Sequence, residues 1–77
     1  MRVEILGTGC PKCRKTETMI GEVIRKLGVQ AEVVHISDLN DIIGRGVMMT
    51  PAVYVDGVKK IEGRAPSEAE IRKWFGV

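Results

Sequence analysis

The sequence predicts an α/β fold in the order β-α-β-α-β-β-α, with a four-stranded mixed sheet flanked by helices. Three observations predict it. A long run with apolar residues at helical spacing lies between two short β-rich runs, as in a parallel strand–helix–strand unit. Two more β-rich runs surround Asp56-Gly57, a strong signal for a tight hairpin. Ser67 and Glu70 form a capping-box pair at the head of a last amphipathic stretch.

The elements follow in order. Residues 2–6 (RVEIL) are β-rich and run into Gly7-Thr8-Gly9, a strand ending in a turn. Pro11 suits a first helical position, where its missing N–H is not needed. Met19, Ile20, Val23, Ile24 and Leu27 then recur on one face, with Glu17, Glu22, Arg25 and Lys26 opposite. Gly28 suits a left-handed helix stop. Gly21 inside this helix costs about 1 kcal/mol against alanine, and close packing is the expected reason. Residues 31–36 (AEVVHI) read as a second strand. Ser37 or Asp38 caps a short helix through Leu39, Ile42 and Ile43 to Gly44. Residues 45–50 are a loop, 52–55 and 58–61 the hairpin, and 63–66 a loop. Ile71, Trp74 and Phe75 form the apolar side of the last helix. The first crossover makes two strands parallel and is itself expected to be right-handed, and the hairpin adds an antiparallel pair.

The 77 residues make one domain, 1–77, with a modest core. An apolar share of 44% with 29% charged residues fits a globular chain and excludes disorder. A net charge of +2, with acids and bases interleaved, is too weak for a nucleic-acid footprint. Trp74, Tyr54 and Phe75 are too few to stack bases. No apolar run approaches the ~20 residues of a membrane span, and the N-terminus lacks a signal-peptide pattern. The expected compartment is the cytoplasm, where thiols stay reduced unless they are used.

Cys10 and Cys13 are the only cysteines, separated by Pro11 and Lys12. A cross-link between them closes almost no loop, and cross-links stabilise less as their loops shorten, so a structural staple is set aside. At the start of a helix the two positions share one face, with Cβ atoms ~5–6 Å apart. Modest adjustment brings them within disulfide reach. The helix N-terminus favours the thiolate, and Lys12, Arg14 and Lys15 add positive charge. Cys10 sits at the exposed edge and is the expected nucleophile. Cys13, one turn inside, is the expected resolving thiol. Two inert buried cysteines fit a pair opening a helix poorly. Pro51 by itself reads as a trans, strand-start proline, since only ~5–6% of such bonds are cis.

Together these residues resemble the small thioredoxin-fold, glutaredoxin-like redox-active disulfide proteins. The resemblance covers essentially the whole chain: element order, Cys10-Pro11-Lys12-Cys13 after the first strand, Thr50-Pro51 before the hairpin, Asp56-Gly57 as its turn, and Gly63 before the last helix. It implies that Pro51 is cis and packs beside the cysteines. It implies that the Thr50 backbone receives an extended substrate segment by strand-like pairing. Pro11 matches the glutaredoxin pattern, whereas Lys12 stands where glutaredoxins usually place tyrosine, and Gly9 stands where thioredoxins carry an aromatic residue. Thr50, Pro51 and Gly63 match glutathione-binding positions without that tyrosine, so glutathione is not assigned as the reductant. Thioredoxins carry a buried acid six residues before the first cysteine, which is the place of Glu4 here. Such an acid with a raised pKa would serve the resolving thiol. The alternation of Val3, Glu4 and Ile5 instead predicts a solvent-facing side chain, and that reading is preferred.

The leading function is a thiol–disulfide oxidoreductase that reduces protein disulfides, with no organic cofactor and no metal. Its expected partners are disulfide-containing proteins and a thioredoxin-reductase-like or low-molecular-weight thiol reductant, with no nucleic acid and no membrane. One alternative is a soft-metal copper carrier using Cys10 and Cys13. Its relatives resemble β-α-β-β-α-β and place Met two residues before the first cysteine, where this chain has Thr8. Another is a non-catalytic binding module using the Thr50–Pro51 groove. His35 reads as a partly exposed strand histidine rather than a catalytic partner. Met48 and Met49 read as an adaptable apolar rim rather than metal ligands. Arg64 reads as a solvated charge.

Overall fold

The computed structural model describes residues 1–76. It places β1 at Arg2–Leu6, α1 at Pro11–Leu27, β2 at Glu32–Ile36, α2 at Leu39–Gly44, β3 at Ala52–Val55, β4 at Val58–Glu62 and α3 at Glu68–Trp74. The α/β class and the element order are those expected. β2 starts at Glu32 rather than residue 31, and β4 runs on to Glu62.

Local chemistry sets the helix ends. Gly28 adopts φ 66° and gives its N–H to the Ile24 carbonyl at 3.0 Å, closing α1. Of the two candidate caps for α2, Asp38 does the capping and accepts the N–H groups of Asn40 and Asp41. Ser67 and Glu70 exchange side-chain and backbone hydrogen bonds at the start of α3, the full capping box. Gly21 departs from expectation: a Cβ built there meets no atom within 4 Å, so close packing does not explain it.

The strand order is β2-β1-β3-β4. β1 pairs parallel with β2 and antiparallel with β3, and β3 pairs antiparallel with β4. Register then assigns the faces. Val3, Ile5, Val53, Val55 and Ile61 pack with Ile20 and Val23 of α1 and with Ile71 and Phe75 beside them. On the other face Leu6 and Ala52 pack with Ile42 of α2 and with Val47. Burying such side chains contributes about 1.5–3 kcal/mol each.

β4 is irregular. Val53 pairs with Ile61, but Tyr54 pairs with Lys59, so Lys60 is an extra residue, a β-bulge. Side chains along a regular strand alternate faces, which would put Lys59 and Glu62 on opposite sides. The bulge puts them on the same side, and Lys59 Nζ meets Glu62 Oε1 at 2.6 Å.

Candidate active site

Cys10 is the N-cap of α1, in extended conformation, and Pro11 takes the first turn. The Cys10 Sγ accepts the Cys13 N–H at 3.3 Å, and the two Sγ atoms lie 2.6 Å apart. Both cysteines are free thiols; Cys10 is partly exposed and Cys13 is 0% exposed. Their acidities differ as well. The Cys13 thiol, followed by backbone N–H groups, holds Cys10 below the ordinary thiol value. Burial, followed by the Cys10 sulfur, pushes Cys13 up. The principal stabilisation of a Cys10 thiolate is thus its partner thiol. Lys12, Arg14 and Lys15 are all exposed.

Gly7 supplies the space behind the pair. A methyl group at this position would collide with Cys13 Sγ. Gly7 also anchors the loop by giving its N–H to Ile36 O at 3.0 Å. Sequence reasoning missed this contact, although the Gly-Thr-Gly run marked the place.

The Thr50–Pro51 peptide is cis, and Pro51 is fully buried. Leu6 faces Ala52 in the β1–β3 register, so Gly7 and Pro51 leave the sheet side by side at the same end. Pro51 therefore sits at the sheet end that holds the cysteines. Its carbonyl accepts the Gly63 N–H at 2.9 Å. Among the described residues the Thr50 backbone makes no hydrogen bond.

Glu4 corrects both earlier readings. It is 5% exposed, so it does not face solvent. Its Oε1 and Oε2 accept from Arg45 Nη1 and Nη2 at 2.9 and 2.6 Å, and Arg2 Nε lies 3.7 Å from Oε2. The Arg45 hydrogen bonds outweigh burial and hold the carboxyl below its ordinary value, the reverse of a raised proton carrier. The physical reason is that the sheet is covered on both faces, so alternation moves a side chain between two interiors. Arg45 also stacks over Tyr54, with its guanidinium carbon 5.6 Å from the ring centre. Nothing in the sequence singled Arg45 out.

The remaining candidates are resolved by contact. His35 Nδ1 lies 3.5 Å from Glu17 Oε2, and no hydrogen bond joins it to either cysteine. Arg64 is solvent-exposed, as expected, and its Nη1 and Nη2 also reach Glu70 at 2.9 and 2.7 Å. Met48 and Met49 are 91% and 64% exposed. Glu62, also missed, accepts both of their N–H groups.

A dithiol capping a helix, one sulfur exposed and one buried, at the sheet end that carries a cis-proline, defines a thioredoxin-fold thiol–disulfide exchange centre. The family described as thioredoxin domain matches residues 1–76, and the chain belongs to it. It is similar to a thioredoxin of Methanocaldococcus jannaschii, 41% identical over 71 residues that span 92% of this chain and 81% of that protein. It is also similar to a thioredoxin of Methanothermobacter thermautotrophicus, 38% identical over 73 residues that span 95% of each. It is accordingly a protein disulfide oxidoreductase. Its substrates are disulfide-bearing proteins and a reductase restores it. No helix among the described residues is long and apolar enough to cross a membrane.

Proposed function

We propose that Cys10 is the nucleophile and Cys13 the resolving thiol of a cytoplasmic disulfide reductase. The observation that carries this assignment is the unequal exposure of two sulfurs only 2.6 Å apart. The Cys10 thiolate attacks one sulfur of a substrate disulfide. A mixed disulfide forms, and the other substrate sulfur leaves as a thiolate that takes a proton. Cys13 then loses its proton and attacks Cys10 Sγ. The second substrate thiolate leaves, and a Cys10–Cys13 disulfide remains. Two electrons pass to the substrate in each cycle, and a reductase or a low-molecular-weight thiol returns them.

Three features support the rest of the assignment. The raised acidity of Cys10 makes it the better attacking group, and the proton retained on Cys13 keeps that sulfur in reserve. The unbonded backbone of Thr50, beside buried Pro51, is available to an extended substrate segment. Pro11 shapes the first turn, and exposed Lys12 faces incoming partners. Glu4 is held by Arg45 and is a structural acid rather than a proton relay.

Insulin reduction in the presence of dithiothreitol tests this reading. Cys10→Ser is expected to abolish turnover, and Cys13→Ser to accumulate a mixed disulfide through Cys10. Alkylation of Cys10 should rise with pH at a midpoint below the ordinary thiol value of 9.0, and that of Cys13 above it. Full turnover by Cys10→Ser would reverse the assignment.

A further inference from the structure

The loop at residues 47–51 carries Thr50 and Pro51, and two exposed methionines precede them. Such a loop needs something to hold its backbone. Glu62 Oε2 accepts the Met48 N–H at 2.8 Å and the Met49 N–H at 3.2 Å. Its other oxygen is fixed by Lys59 at 2.6 Å. The next residue, Gly63, gives its N–H to the Pro51 carbonyl at 2.9 Å. Gly63 has φ 86°, and a Cβ there would press on Met49 Cβ at 3.3 Å. The end of β4 therefore grips the loop on both sides of Thr50.

We propose that Glu62 is a positioning residue for the disulfide exchange reaction: its carboxylate clamps the Met48 and Met49 amides so that the Thr50 backbone is held ready for a polypeptide substrate. The proposal rests on the oxidoreductase reading. The bulge at Lys60 is part of the device, because it brings Lys59 to the face of Glu62. Without it the carboxylate would lose the cation that fixes its orientation. Lys59 and the two amides together hold the Glu62 carboxyl at about 2, so the clamp is an anion throughout the working pH range. The clamp touches neither sulfur. Its effect belongs to substrate docking, not to thiol reactivity.

This division sets the test, which compares Glu62→Ala and Glu62→Gln with the wild type. Each is assayed for insulin reduction, reduction of a small aromatic disulfide, the pH profile of Cys10 alkylation, and thermal unfolding. Glutamine keeps an oxygen that accepts the amides, whereas alanine leaves them unbonded. Glu62→Ala should lower kcat/KM for insulin about tenfold, chiefly through KM, at a temperature where it remains folded. Its rate with the small disulfide and its Cys10 alkylation profile should stay at wild-type values. Glu62→Gln should recover most of the insulin activity. Unchanged insulin kinetics in Glu62→Ala would overturn the proposal. So would an equal loss with the small disulfide, or a shifted Cys10 profile. A wild type inactive toward both disulfides would instead remove the oxidoreductase reading.

Discussion

The two faces of the sheet are built differently. The face under α1 and α3 is apolar: Val3, Ile5, Val53, Val55 and Ile61 meet Ile20, Val23, Ile71 and Phe75 without a buried charge. The face under α2 has a smaller apolar cluster and carries Glu4, held by Arg45 and flanked by Tyr54. It also carries the Lys59–Glu62 pair that reaches the loop before Pro51. Apolar contacts are non-directional and tolerate small shifts. Charge-assisted hydrogen bonds are directional and fix orientation. One face therefore supplies most of the stability, and the other sets the position of α2 and of the Thr50 loop.

Substitutions on each face test that division. The largest loss is expected from Ile5→Ala, at about 3 kcal/mol, because Ile5 is fully buried among the apolar set. Chemical unfolding measures it, and the alkylation midpoint of Cys10 should not move. A smaller loss is expected from Glu4→Gln near neutral pH, about 2 kcal/mol, which thermal unfolding reads as roughly 10 °C in Tm. Its sign with pH is fixed. The folded carboxyl lies below its ordinary 4.5, so the folded state binds fewer protons than the unfolded chain. The stabilisation is complete above 4.5 and disappears as pH falls through the folded value. The gap between wild type and Glu4→Gln should therefore close in acid. A gap that widened there would refute the ion-pair account. The smallest effect is a gain: Gly21→Ala should add about 1 kcal/mol, since open space surrounds the position in mid-helix. A loss at this site would show a packing role that the geometry does not contain.

What sequence reasoning reached and what it missed divides along similar lines. Features encoded by neighbours in the chain were legible. Pro11 and Gly28 bound α1, Ser67 and Glu70 cap α3, and Asp56-Gly57 turns the hairpin with φ values of 50° and 83°. The cysteine pair was legible for the same reason. Glu4 was misread because alternation shows only that a side chain changes face. Its partner Arg45 lies 41 residues away. Glu62 was missed because the bulge at Lys60 breaks the alternation that would have placed it. Arg64 is exposed as its sequence suggested, but its pairing with Glu70 was not legible because it depends on how the loop before α3 folds back. Local rules found the elements and the paired cysteines, and contacts distant in sequence set the frame around them.

The central place of β1 has a consequence for how the molecule is made. Its two neighbours, β2 and β3, come from opposite halves of the chain. On a ribosome the strand that leads into the cysteines emerges first and waits half-paired, one edge bare, until residues 52–55 arrive. The thiols are thus translated well before the proline and the Glu62 grip proposed to serve them. A nascent chain stalled between β2 and β3 would display its cysteines without the proposed docking surface, as a thiol reagent with no choice of client.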